Sequence, residues 1–228
     1  MYTQIKLPPC VVMAGGLGTR LGAITKHKPK SALKIKEQPF IYHKLNNLVF
    51  KGFDEFIFLL SYKNEMLINL INKYAEEKKI KCYYIVDKKR EGTFKAISNA
   101  HKDLPKIFFY TNGDEISKVN YMKMYEKFIK NNYLLLSLIK KQARGNLQLH
   151  KENLQLSEDF EKVVYKELGC KFINKEIFKF VDKNYNKFED LIYQTLTTKT
   201  KVGYFLSNEI PLRIDTPLDI KITNIKIR

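Results

Sequence analysis

Arginine, glycine, proline and cysteine are all scarce in this 228-residue chain, tryptophan is absent, and the first four shortages each weigh against a class of protein. Ten glycines and seven prolines exclude a collagen-like or low-complexity chain. The three cysteines, Cys10, Cys82 and Cys170, are odd in number and far apart. They show no CxxC pair and no histidine at ligand spacing, so neither a disulfide framework nor a zinc site is expected. Thiols that stay reduced point to the cytoplasm. Apolar runs such as Phe56 to Leu60 and Leu134 to Leu136 fall far short of the roughly 20 residues that cross a bilayer. The N-terminal stretch carries Lys6 and the pair Pro8-Pro9 in place of the unbroken apolar segment of a secretory signal. A soluble protein with no membrane partner is expected.

Scarcity of arginine also qualifies the strongest compositional feature, a formal charge of +17. Of 41 basic residues, five are arginine (Arg20, Arg90, Arg144, Arg213, Arg228), which leaves 41 − 5 = 36 lysines spread along the chain. Base-edge readers and phosphate clamps favour the planar guanidinium fork. Scattered lysine argues instead for a solvated surface that suits small anions, and against a nucleic-acid face. The four histidines, His27, His43, His101 and His150, form no constellation.

Hydrophobic residues make up 44% of the chain, enough for one core, and no repeat or linker divides it, so residues 1–228 are expected to form a single domain. The pattern predicts strands at Pro9 to Ala14, Asp54 to Ser61, Ile80 to Val86 and Lys106 to Thr111. Between them, apolar spacing predicts helices over Pro39 to Lys51, Asn64 to Lys79, Thr93 to His101 and Val119 to Asn131. Alternation of this kind implies parallel strands with right-handed crossovers. After Tyr133 come consecutive strand-like pieces at 134–139, 147–149, 153–156 and 163–173. Two short helices at 175–181 and 188–196 and a strand at 202–206 follow. The class is therefore α/β, with a mixed sheet that has an antiparallel part.

The chemistry is concentrated in Val11 to Lys30, VVMAGGLGTRLGAITKHKPK. A strand opens into Gly15, Gly16 and Gly18, where the backbone can approach a bound group and aim N–H donors at phosphate oxygens. Arg20 adds a charged fork at the same mouth, and Lys30 follows Pro29 in a segment expected to be extended. This is a polyphosphate site. It matches neither GxxxxGK[ST] nor the spacing of a dinucleotide fingerprint.

The order AGGLGTRL followed by PK resembles the signature of the sugar-1-phosphate nucleotidylyltransferase family. The short guanylyltransferases acting on heptose or mannose 1-phosphate look most similar, through length, SYK at Ser61 to Lys63 and FEK at Phe160 to Lys162. The resemblance implies a Rossmann-like three-layer sandwich with a mainly parallel central sheet, of the nucleotide-diphospho-sugar transferase type. It implies transfer of a nucleoside monophosphate to a sugar 1-phosphate with release of pyrophosphate, in the service of surface glycan synthesis. Ala14, Gly15, Gly16, Gly18 and Thr19 would hold the nucleotide, while Arg20 and Lys30 would neutralise charge at the α-phosphorus.

Later segments extend the resemblance. NGD at Asn112 to Asp114 would make Asp114 a Mg²⁺ ligand, and IDTPLD supplies Asp215 as its partner, although many sugar enzymes place that aspartate at the position of Arg213. Asp219 is expected to open the terminal helix. In EGTFKAI, Gly92 and Thr93 match the loop that holds base and ribose, and Asp87 falls at the base-reading position, where a carboxylate favours GTP. On the acceptor side, Gly145, Glu161, Lys162 and Gly169 match sugar-phosphate positions, with Lys162 as a third catalytic cation; Glu167, Leu168 and Gly169 replace the family's asparagine and paired glycines. The implied partners are a nucleoside triphosphate, a sugar 1-phosphate and Mg²⁺, and a homodimer is compatible with the sequence. Within the enzyme class the alternative is a cytidylyltransferase acting on phosphocholine, a sugar acid or another small phosphate. Outside it stand a nucleic-acid-binding module and a non-catalytic nucleotide sensor.

Overall fold

The computed structural model describes residues 5–16, 18–61, 64–87, 92–142, 147–150, 153–156, 164–180 and 202–227. The chain divides into two compact units. One comprises Met1–Arg90, Asn112–Lys118 and Ile210–Arg228; the other comprises Glu91–Thr111 and Val119–Glu209.

In the first unit, strands β1 (Cys10–Met13), β4 (Glu55–Leu60) and β5 (Lys81–Val86) lie parallel with β4 in the middle. β4 reads EFIFLL, and all but its first residue are buried, as expected of a strand covered on both faces. Helix α1 (Phe40–Phe50) leads into β4 and buries Phe40, Ile41, Lys44, Leu45 and Leu48, the helical spacing seen in the sequence. Helix α2 (Glu65–Lys78) joins β4 to β5, burying Leu67, Ile71 and Tyr74 and ending at Lys79 in the left-handed conformation. Two tiny sheets complete the unit, and the periodicity foresaw neither. One is the hairpin of β2 (Lys34–Ile35) and β3 (Gln38–Pro39); the other pairs β7 (Glu115–Ile116) with β13 (Leu212–Arg213) in antiparallel register. Two-residue strands carry no periodic signal to read.

Helix α5 (Pro217–Lys226) closes this unit. Thr216 accepts from the Asp219 backbone N–H and Asp219 accepts from the Thr216 backbone N–H, a capping box with proline at the first helical position. Asp219 thus opens the helix, as its place in the sequence implied. Ile35, Phe40, Ile116, Ile214 and Ile227 form one buried cluster, with Leu212 and Ile220 packed against it. That cluster ties α5 and both small sheets to the base of α1.

The second unit contains helices α3 (Thr93–Ala100) and α4 (Tyr121–Lys130) and strands β6 (Ile107–Asn112), β8 (Leu135–Gln142), β9 (Leu147–His150), β10 (Asn153–Leu156), β11 (Val164–Asn174) and β12 (Val202–Leu206). Their order is β6-β11-β8-β12-β10-β9. β11 is antiparallel to both β6 and β8, and β8 is parallel to β12, so the mixed character expected from the pattern is present. Phe109 packs against Tyr121 and Phe172, with ring centroids 4.7 and 4.9 Å from its own. The register of β11 against β8 shifts between Glu167 and Lys171. There Lys171, only 2% exposed, donates to Glu167 at 2.5 Å, and Ser137 donates to the same oxygen at 3.2 Å. The helix predicted at 175–181 is a 3₁₀ turn, Lys175–Lys179. The one predicted at 188–196 lies outside the described residues. Among the described residues no helix is long and apolar enough to cross a membrane.

Candidate active site

β1 ends at Met13 and hands the chain to the glycine loop. The backbone N–H of Ala14, which is buried, still donates to Leu59 at the end of β4, 3.0 Å away, so the loop starts from a fixed point. Gly15 accepts from the Ser61 hydroxyl at 2.5 Å. Gly16 is exposed, and a β-carbon there would meet nothing within 4 Å, so packing gives no reason for its being glycine. Gly18 adopts φ +65°, and a β-carbon on it would lie 2.9 Å from the Thr25 methyl. Both facts require glycine. From Gly18 the chain enters a 3₁₀ turn, Thr19–Thr25, with Thr19 and Arg20 exposed in its first turn and the Thr25 hydroxyl tied back to the Gly18 carbonyl at 2.8 Å.

Lys30 departs from its sequence expectation. After an extended Pro29 it begins a 3₁₀ turn, Lys30–Ala32, and is buried. Its ammonium donates to Asp114 Oδ2 at 2.7 Å and to Asp215 Oδ1, so one cation holds both of the aspartates singled out as metal ligands. Burial alone draws the Lys30 pKa down, but the two carboxylates more than reverse that, and the ammonium titrates above its ordinary 10.5. For Asp215 burial acts upward. The hydrogen bond and charge of Lys30, with smaller fields from Arg213 and Arg20, outweigh it and leave the carboxyl below its ordinary 3.8.

Three local devices bring these groups together. Gly113 of the NGD segment donates its N–H to Met13 O at 2.8 Å, and a β-carbon there would sit 2.9 Å from that same oxygen, so only glycine lets Asp114 come this close to the end of β1. The Ser31 hydroxyl donates to the Gly113 carbonyl at 3.1 Å and locks the Lys30 turn against NGD. Finally, β7 and β13 pair Glu115 with Arg213, and the N–H of Ile214 donates to Asp114 O at 3.2 Å. Asp114 and Asp215, remote in sequence, therefore flank one short ladder.

Beneath the ladder lies a charged group that motif reading missed. Glu115 is 3% exposed and meets the Arg213 guanidinium at 3.2 Å; Lys44, fully buried on α1, donates to the Glu115 carbonyl at 2.8 Å. The Thr223 hydroxyl of α5 donates to Arg213 O at 2.6 Å. The sequence signal was available only in part: a lysine on the apolar face of α1 marks a buried cation that needs an acceptor.

Two carboxylates converging on one point cation form a hard, oxygen-only donor set. That fits Mg²⁺, which takes one or two carboxylates and fills its remaining positions with water and substrate phosphates. Among the described residues no group of three or more His, Cys, Asp or Glu offers a fuller protein cage.

Other predicted site residues stand as follows. Asp87 is half-buried just past the end of β5, its N–H donating to Leu60 O at 2.8 Å. In the second unit Gly92, at φ +105°, caps α3 and Thr93 opens it, both exposed. Gly169 is buried in β11 where the register shifts. Gly145, Glu161 and Lys162 lie outside the described residues.

Residues 10–146 match the family model described as nucleotidyl transferase. The D-glycero-alpha-D-manno-heptose 1-phosphate guanylyltransferase of Campylobacter jejuni is 30% identical over 185 residues, covering 78% of either chain. A mannose-1-phosphate guanyltransferase of Aspergillus oryzae is 24% identical over 149 residues. That alignment takes in 63% of this chain and 41% of the fungal one, so the chain spans about two fifths of that relative's length. The crystal structure of HddC from Yersinia pseudotuberculosis superposes with a TM-score of 0.77 at 23% identity, covering 96% of this chain and 99% of that one, which shows the fold.

Proposed function

Because the chain belongs to the nucleotidyl transferase family, we propose that it transfers a nucleoside monophosphate, GMP by preference, from a triphosphate to a sugar 1-phosphate and releases pyrophosphate. The observation that carries this reading is the meeting of Lys30 with Asp114 and Asp215 beside the glycine loop. A heptose or mannose 1-phosphate is the favoured acceptor, in line with the names of the similar enzymes.

In the proposed reaction a phosphate oxygen of the sugar phosphate forms a bond to the α-phosphorus as the bond from that phosphorus to the bridging oxygen breaks, and the electron pair leaves with pyrophosphate. No covalent enzyme intermediate is needed. Two anions must be brought together, so the work of the protein is positioning and charge neutralisation. Backbone N–H groups of Gly15, Gly16 and Gly18 cradle the triphosphate, Arg20 clamps it from the exposed first turn, and Lys30 neutralises the reacting phosphate. Asp114 and Asp215 hold Mg²⁺, which when bound supplies Lewis-acid stabilisation of the phosphoryl oxygens. Asp87 reads the base: its carboxylate accepts from the adjacent N1–H and N2–H₂ of guanine and repels the flanking acceptors of uracil or thymine.

A cytidylyltransferase acting on phosphocholine, a sugar acid or another small phosphate is the second reading. It draws support from Asp215 in IDTPLD, a C-terminal segment similar to that of several such enzymes, being the residue that joins Lys30. Incubating the protein and Mg²⁺ with each triphosphate and a panel of phosphate acceptors, and measuring pyrophosphate, decides between them. Release with GTP and a sugar 1-phosphate is expected. Release confined to CTP, or none with any pair, overturns the guanylyltransferase reading.

A further inference from the structure

Lys30 is the most buried member of the acidic site. Its side chain is 9% exposed, against 33% for Asp114 and 29% for Asp215, so the ammonium lies beneath two wetter carboxylates. Its backbone is held on both sides: Ala32 N–H donates to Pro29 O at 2.9 Å, Leu33 N–H donates to Lys30 O at 3.1 Å, and Ser31 is tied to Gly113. Freedom to move is thus confined to the side chain, whose four-carbon stem and rotatable ammonium can change partners without a backbone shift.

The electrostatics make such a change conditional. With Lys30 in place the two carboxylates have a net charge of −1 rather than −2, and an ammonium a few ångström away repels a divalent ion strongly at a partly shielded site. Mg²⁺ also gives up its water reluctantly. A triphosphate reverses the balance, because it brings several negative charges and offers the ammonium new oxygen partners.

Resting on the reading that Asp114 and Asp215 take Mg²⁺, we propose that Lys30 is a counter-ion latch. Without triphosphate its ammonium occupies both carboxylates and holds divalent cations off; a bound triphosphate draws the ammonium away and opens the pair. Cation and nucleotide then enter as a coupled couple, each raising the other's affinity by the same factor. The free protein is spared an idle divalent ion that would have to be repositioned before turnover.

The probe is Mn²⁺, with free ion followed by electron paramagnetic resonance, on nucleotide-free wild type, Lys30→Gln and Lys30→Arg. Lys30→Gln is expected to bind Mn²⁺ about tenfold more tightly than wild type, a modest return for removing one adjacent positive charge. Lys30→Arg should stay at the wild-type level, and adding Asp114→Asn to Lys30→Gln should abolish the gain. Equal affinity in wild type and Lys30→Gln, with Mn²⁺ still captured through Asp114 when a non-hydrolysable triphosphate is present, overturns the latch and leaves the metal assignment standing. Mn²⁺ binding indifferent to both aspartates with triphosphate present overturns the metal assignment and the latch with it. Should Lys30→Gln fail to fold, acylation of wild-type Lys30 by an amine-reactive reagent, mapped by peptide mass spectrometry, replaces it. Saturating Mn²⁺ should speed that labelling about tenfold; an unchanged rate overturns the latch.

Discussion

Arg20 is exposed on the first turn after Gly18, where a guanidinium is free to meet a ligand and contributes nothing to the core. An aligned charged donor at a phosphoryl transition state is worth about 3 kcal/mol, so Arg20→Ala should lower turnover about a hundredfold. Its melting temperature should match wild type. Near-full activity would show that the glycine loop does not hold the triphosphate in the proposed way. Asp87 carries the base assignment. A well-placed bidentate contact to a base is worth about 1–3 kcal/mol, so Asp87→Gln should lose GTP use while UTP or dTTP use is kept or improved. Competition assays between triphosphates test it, and an unchanged preference removes Asp87 from the site. Lys30 and Asp215 also give stability a pH signature. Lys30 titrates higher in the folded state than its ordinary 10.5, so its contribution is complete below that pH and is lost as pH rises through the folded value. Asp215 titrates lower than its ordinary 3.8, so its contribution is complete above that pH and is lost as pH falls through the folded value. Urea midpoints should show Asp215→Asn flattening the acid limb and, because Asp215 also helps to hold the Lys30 ammonium, weakening the alkaline limb in part.

Short elements decide how the two aspartates meet. β7 and β13 are two residues each, yet they fix Asp114 and Asp215 beside one ladder, through its paired Glu115 and Arg213 and with Lys44 behind. Glu115 is buried but its partner Arg213 is 30% exposed, so removing the carboxylate leaves a cation that water still reaches and costs about 1–3 kcal/mol. Glu115→Gln is therefore expected to lower the urea midpoint substantially, and Glu115→Gln with Arg213→Met to cost less than the two singles summed. Strict additivity would mean that the pair is not coupled. The long elements were legible in the sequence: α1, α2, β1, β4 and β5 fall within one or two residues of the pattern, the first four because each buries a continuous stripe and β5 because exposed and half-buried residues interleave along it. The glycine loop and the NGD segment were legible too, since Gly18 in the one and Gly113 in the other leave no room for a side chain. What could not be read was which cation would meet which carboxylate. Lys30 lies against the glycine mouth, where a β-carbon on Gly18 would be 3.3 Å from the Lys30 β-carbon, but its span of Asp114 and Asp215 could not be foreseen, because that partnership depends on the β7–β13 ladder and on Ser31. Arg213, standing where many sugar enzymes have aspartate, was legible as a departure, but its partner Glu115 was not.

Across the whole molecule, a charge of +17 carried mostly by lysine shapes encounter more than chemistry. Capture of two anionic substrates should weaken modestly as salt screens the field. Nucleic-acid binding through the same surface would instead fall with a steep power of salt, so kcat/KM measured from low to moderate salt separates the two uses of the charge. The central claim is that Lys30, Asp114 and Asp215 form the reaction centre. Its most direct test is the pyrophosphate-release turnover of Asp215→Asn at saturating Mg²⁺, GTP and sugar 1-phosphate, beside Asp219→Asn and Arg213→Ala. A neutral amide in place of a hard anionic ligand should cut turnover about a hundredfold in Asp215→Asn, while Asp219→Asn, which loses only a helix cap, keeps turnover and melts earlier. Wild-type turnover in Asp215→Asn together with a dead Arg213→Ala would contradict the account.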